Sequence, residues 1–177
     1  MLSGQRVDVV MTSVLGHVMA VDFTQEYANW NTVEVESLFG AQIVERVSEV
    51  NSFLYVMHYQ LPVFMQNMND VAENLRIQAR RSQRLVIWTD CDREGEYIGA
   101  EIEKICLEAN PSIDTYRARY SVVSPRDIHR AMNQLDRLDR RQVFAVSTRQ
   151  ELDLRSGASL TRLQSLNLRA RFPQLKH

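Results

Sequence analysis

The stretch Leu85-Val86-Ile87-Trp88-Thr89-Asp90-Cys91-Asp92-Arg93-Glu94-Gly95-Glu96 decides how the chain is read. A short apolar run stops abruptly at carboxylates spaced two apart, Asp90, Asp92 and Glu94. The run follows the polar segment Arg80-Arg81-Ser82-Gln83-Arg84, and its length predicts a buried strand rather than a helix. From Glu94 to Glu108 the spacing turns helical, with Ile98, Ile102 and Ile105 on one face. A strand running straight into a helix puts the acids at the carboxyl end of the strand, where open α/β sheets place their ligands. Carboxylates this close repel one another unless a cation neutralises them. A cluster of hard oxygen donors suits Mg²⁺, which keeps most of its waters and shares its remaining positions with a phosphate.

Two plainer readings compete. Acidic residues are favoured at the positive end of a helix dipole, so the three could be a solvated helix start. Asp90, Asp92, Glu94, Gly95 and Glu101 also fall at positions 1, 3, 5, 6 and 12 of an EF-hand calcium loop, with Glu at position 5. That loop needs an entering helix, and Leu85-Val86-Ile87-Trp88 makes a poor helix end. No second loop of the kind is present to pair with it, so the calcium reading is set aside. The spacing alone leaves a Mg²⁺ site and a solvated helix start both open.

At 177 residues and 45% hydrophobic, the chain can bury one sizeable core with an appendage. It has no apolar stretch long enough for a membrane span and no secretory leader at Met1, so the sequence reads as a soluble intracellular protein. Cys91 and Cys106 make no disulfide framework and no metal-binding spacing, and both are expected as reduced thiols. The net charge of −1 hides a division. Residues 117–177 carry thirteen Arg or Lys and five Asp or Glu, net +8, which leaves −9 on the rest. A basic third on an acidic body suggests a polyanion groove beside a metal site, although solvated Arg-rich helix faces would look the same.

Taken in order, Val7 to Val14 is a β-branched run that predicts a strand. Leu15-Gly16-His17 follows as a turn that lets the backbone approach a ligand; His17 there could touch a phosphate or satisfy a local hydrogen bond. Phe23 to Trp30 predicts a short amphipathic helix, residues 31–50 show no clear period, and Phe53 to Met57 predicts a strand. Asn69 to Arg80 has helical spacing, and Met65 and Met68 read as core filler. Asn110-Pro111 breaks the chain before Thr115 to Val123, which alternates aromatic or apolar residues with arginine and predicts a strand with one basic face. Ser124-Pro125 reads as N-cap and first helical residue of a helix running to about Leu135. Leu138 to Arg155 predicts another helix, with Gly157 breaking it before a last basic helix. The alternation of strands and helices predicts an α/β fold, a mainly parallel sheet flanked by helices and followed by a helical segment.

Several segments resemble one family in the same order along nearly the whole chain. Met11-Thr12-Ser13-Val14-Leu15-Gly16-His17 looks like the sequence after the first strand of eukaryotic topoisomerase III. Trp88 to Glu96 resembles the acidic motif of that family's Toprim domain, and Arg117-Ala118-Arg119-Tyr120-Ser121 its next strand. Arg149 to Ala158 is similar to the segment leading into the helical domain that holds single-stranded DNA. The resemblance implies a Toprim domain over residues 1–135, lacking its first strand, and the start of the helical DNA-binding domain over residues 136–177.

It further implies a type IA DNA topoisomerase, a nuclear isomerase that cuts one strand through a phosphotyrosine, passes another and reseals with Mg²⁺. Asp90, Asp92 and Glu94 would be the metal-binding acids. Arg117 would contact the backbone near the scissile phosphate, and Arg149 and Asp153 would help hold the strand. Arg149 and Asp153 are also four apart on a helix and could simply pair. Partner proteins typical of topoisomerase III would be expected. The family's catalytic glutamate lies on a strand before Met1, and none of the six tyrosines falls in the nucleophile's context, so the chain is not expected to relax DNA alone. The alternative is a non-catalytic Toprim module that binds single-stranded nucleic acid or a partner protein. A Toprim nuclease using metal-activated water is a weaker one.

Overall fold

A computed structural model of the chain describes residues 7–48 and 67–172. The elements are β1 (Met19–Phe23), 3-10 turns at Gln25–Tyr27 and Val35–Phe39, β2 (Ile43–Val47), α1 (Met68–Arg81), β3 (Arg84–Ile87), α2 (Arg93–Ala109), β4 (Asp114–Arg117), α3 (Pro125–Asn133) and α4 (Arg140–Arg171). β3 and β4 pair in parallel, Arg84 opposite Asp114 and Ile87 opposite Arg117, with α2 as the crossover between them. β1 and β2 form a second two-stranded sheet. The α/β character expected from the sequence is present, and the parallel pairing among the described residues is that of β3 with β4.

The chain divides into two compact units, one of Met1–Met19 and Val47–Val146, the other of Ala20–Arg46 and Ser147–His177. In the first, α1 buries Met68, Val71, Ala72, Leu75 and Ala79, a stripe at helical spacing. They share a core with Ile102, Ile105 and Cys106 of α2 and with Val18 and Ile113. Fully burying one such aliphatic side chain is worth about 1.5–3 kcal/mol. Burial in this core also pushes the Cys106 thiol up to about 11, which keeps it an inert thiol. In the second unit Phe23, Leu38 and Ala41 are buried, with Tyr27, Ile43, Leu154 and Ala158 packed against them. Arg155 of α4 closes the end of the Val35–Phe39 turn, donating to the Leu38 carbonyl at 3.0 Å and the Ala41 carbonyl at 2.9 Å.

Several boundaries differ from the sequence reading. The strand expected over Val7–Val14 is absent, since residues 7–15 carry no regular structure. Val9 is 78% and Met11 92% exposed. β-propensity expresses packing against neighbouring strands, and without one these β-branched residues do not form a strand. The Phe23–Trp30 helix reduces to the Gln25–Tyr27 turn, and β4 ends at Arg117, where a bridge to Asp136 replaces the ladder. Gly157 does not break the last helix; α4 continues through it to Arg171. A helical glycine costs about 1 kcal/mol relative to alanine, little against the hydrogen bonds of so long a helix. The Ser124 cap is as expected, its hydroxyl accepting from the Asp127 N–H with Pro125 beginning α3. The strand expected at Phe53–Met57 lies outside the described residues, and no helix among those described is long and apolar enough to cross a membrane.

Candidate metal and nucleic-acid site

Asp90, Asp92 and Glu94 occupy the connection from the carboxyl end of β3 into the first turn of α2. Asp92 is the N-cap of α2, and its Oδ1 accepts from the Gly95 N–H at 2.7 Å. The Thr89 hydroxyl donates to the Gly95 carbonyl at 2.6 Å, so both peptide groups of Gly95 are tied to this loop. A Cβ on Gly95 would lie 1.9 Å from the Asp90 carbonyl oxygen, so only glycine lets helix and loop approach this closely. Asp90 and Asp92 are exposed, while Glu94 is half-buried. The β3 entry also confirms that no EF-hand is formed.

Beneath the loop lies a buried ionic network. Arg117 and Glu96 are both fully buried, their Nε and Oε1 3.0 Å apart. Arg117 also donates through Nη1 to the Ile87 and Ala118 carbonyls at 3.2 and 2.9 Å, and through Nη2 to the Asp90 carbonyl at 2.6 Å. Glu96 accepts from Arg119 at 2.8 Å and from the Asp139 N–H at 2.9 Å. One buried carboxylate thus ties α2 to β4 and to the entrance of α4. A buried ion pair offsets its desolvation only when further hydrogen bonds satisfy it, and here each Arg117 nitrogen and both Glu96 oxygens have a partner.

His17 approaches the same helix. Its Nδ1 donates to Glu101 Oε1 at 3.0 Å, and its Nε2 lies 3.4 Å from Glu94 Oε2. Glu101 is buried, and its other oxygen accepts from the Val18 N–H at 2.8 Å and the Met19 N–H at 3.3 Å. The hydrogen bond to Glu101 holds the His17 pKa above its usual 6.5, with the Glu94 carboxylate adding to the effect. On the loop's other side, burial and then the Asp90 charge push the Tyr120 hydroxyl up. Cys91 Sγ donates to the Tyr120 carbonyl at 2.9 Å.

The structure treats the sequence-predicted residues differently. The three acids share one loop, but among the described residues no three His, Cys, Asp or Glu side chains gather at metal-binding distances. Their oxygen chemistry nevertheless fits Mg²⁺, which is held through one or two carboxylates plus water and phosphate rather than by a protein cage. Arg117, expected at a DNA phosphate, is shielded from solvent with each of its nitrogens engaged inside the chain. Arg119, two residues on, keeps 35% of its side chain exposed. Arg149 and Asp153 are exposed on α4. Glu96 and Glu101 were missed by motif reading. Glu101 had a usable signal: it stands at i+3 from Ile98 and i−4 from Ile105, an acid inside an apolar helical stripe.

A family model, the Toprim domain, matches residues 2–123. The chain belongs to the Toprim domain family. It is 44% identical over 174 residues to a DNA topoisomerase 3 of Caenorhabditis elegans, covering 98% of this chain and 21% of that protein. It is 40% identical to the DNA topoisomerase 3-alpha of Homo sapiens over 174 residues, 98% of this chain and 16% of the relative. With that of Drosophila melanogaster it shares 40% over 171 residues, 97% and 12% respectively. The resemblance to eukaryotic topoisomerase III therefore extends over almost all of this Toprim chain, which spans about a fifth or less of each of these relatives.

Proposed function

We propose that this chain is the Mg²⁺-binding and strand-holding part of a type IA DNA topoisomerase, with single-stranded DNA as its substrate and the nucleus as its place of action. The observation that carries the reading is the acidic loop at the end of β3, held from within by Arg117 and closed by Gly95. Asp90, Asp92 and Glu94 would hold the ion, which when bound neutralises charge on a phosphate undergoing transfer. The chain's own residues do the positioning. Arg117 holds the Asp90 carbonyl and so serves the DNA through the loop, leaving the half-exposed Arg119, just past the end of β4, as the arginine that reaches a phosphate. Arg149 and Asp153 contact the strand from α4.

A second reading, a non-catalytic Toprim module binding nucleic acid or a partner protein, draws on the engagement of Asp92 as helix cap and of Glu94 with His17. Two experiments separate the readings. Binding of a fluorescent single-stranded oligonucleotide should fall with salt, by roughly 0.7 log units per log unit of salt for each phosphate neutralised. No binding at low salt would remove the strand-holding role. Mg²⁺ should raise the melting temperature, and Asp90→Asn with Asp92→Asn should abolish the rise; an unchanged rise would remove those acids from the metal site.

A further inference from the structure

The unit formed by Ala20–Arg46 and Ser147–His177 contains a second feature suited to an anion. Arg162 of α4 is 6% exposed, yet its Nη1 has no hydrogen-bond partner. Its guanidinium carbon lies over the Trp30 ring, 5.4 Å from the centroid. One helical turn earlier, Ser159 is 3% exposed and its hydroxyl is likewise unpartnered. Residues three apart share a helix face, so α4 presents two orphaned polar groups on one side. A buried cation without a full set of partners is costly, and such a group in a folded protein calls for a further partner, a water or a bound anion.

Arg162 lines a cleft of about 260 Å³ together with Asp22, Thr24, Gln25, Tyr27 and Arg46. Asp22 is already paired with Arg46 at 2.8 Å, so the cleft holds two guanidiniums against one carboxylate. The volume falls below the roughly 300–1,000 Å³ of pockets for drug-sized ligands, which suits a small anionic group. The Trp30 ring backs the guanidinium, and guanidinium donors match phosphate oxygens. Tyr27 also lines the cleft.

We propose that this cleft is a phosphate-binding site in which Arg162, backed by Trp30, takes a phosphate group, either free or carried by a nucleic-acid strand. The second source rests on the strand-holding reading above; the first does not. The site is separate from the acidic loop and needs no metal.

The chain's two tryptophans are Trp30 and Trp88, so Trp88→Phe leaves Trp30 as the only indole. In that full-length background, Trp30 emission is followed during titration with inorganic phosphate and, separately, with a short oligothymidine, while anisotropy of a labelled copy reports strand binding. Both ligands should change Trp30 emission, with oligothymidine acting at lower concentration. Arg162→Gln should weaken the phosphate response by about tenfold or more, with Arg162→Lys recovering part of it. A phosphate response without oligothymidine binding establishes the site for free phosphate and discards the strand reading alone. An equal response in Arg162→Gln, or oligothymidine binding that leaves Trp30 silent with phosphate silent too, would overturn the proposal.

Discussion

Two buried arginines, one in each compact unit, have opposite surroundings. Arg117 spends its guanidinium on Glu96 and three backbone carbonyls, so each of its nitrogens has a partner within the chain. Arg162 rests on an aromatic ring with an orphaned Nη1 beside a cleft. Burial of a charge therefore says little by itself; the count of satisfied donors separates a residue that holds the fold from one that awaits a partner. On the reading proposed above, the recognition chemistry of the first unit lies outward, on the acidic loop whose Asp90 carbonyl Arg117 holds. In the second it stays on the buried residue.

The sharpest way to break this contrast is Arg117→Met, which leaves Glu96 as a buried carboxylate short of its main partner. The expected loss is about 3–5 kcal/mol of unfolding free energy in a urea titration. Because that loss is global, weaker DNA binding by the variant would not show a phosphate contact. A loss under 1 kcal/mol would mean that Arg117 is not the keystone described here. Gly95→Ala attacks the same frame from the helix side. The added Cβ meets backbone rather than a movable side chain, and overpacking of this kind costs about 1–3 kcal/mol. The same variant should also lower the Mg²⁺-induced rise in melting temperature, because the Asp90 loop must shift to admit the methyl group.

What the sequence made legible follows from the range of the forces involved. The end of β3, the cap and face of α2, the stripe of α1 and the Ser124-Pro125 start of α3 rest on residues within a turn or two of one another. Periodicity and capping report such contacts directly. The Val7–Val14 run failed because a strand is made by its neighbour, and Gly157 failed because tertiary continuity outweighed a local penalty of about 1 kcal/mol. Arg117 was read from its place in a motif as a surface contact. Its burial depends on Glu96 and on carbonyls up to thirty residues away, which no local pattern encodes. Arg162 was read only as part of a last basic helix, since a buried orphan donor is defined by what fails to surround it.

Smaller effects refine the picture of the acidic loop. Asp92→Ala removes the N-cap of α2 and should cost about 1 kcal/mol. Asp92→Asn should retain most of the cap, because the amide oxygen can still accept from Gly95. If both substitutions reduce the Mg²⁺ effect but only the alanine lowers stability without metal, capping and metal binding are separable roles of one carboxylate. His17 adds a dependence on pH. Its folded pKa lies above the usual 6.5, so the contribution of the charged pairing is complete below about 6.5 and is lost as pH rises through the folded value. In metal-free buffer, the melting temperature of the native chain relative to His17→Gln should therefore fall as pH rises above about 6.5; a parallel course for both proteins would remove His17 from that role.

The smallest expected effect discriminates best between the two arginines. Arg162→Met keeps an apolar stem against Trp30 while deleting a guanidinium with an unsatisfied nitrogen. The lost cation–π contact, worth about 0.5–2 kcal/mol, is offset by release of the buried orphan donor, worth about 1–3 kcal/mol. Unfolding free energy without phosphate should therefore lie between a loss of about 1 and a gain of about 2.5 kcal/mol. With phosphate present, the native chain should gain stability by mass action and the variant should not. A loss as large as that of Arg117→Met, unchanged by phosphate, would instead make Arg162 a structural arginine, and the contrast between the two units would disappear.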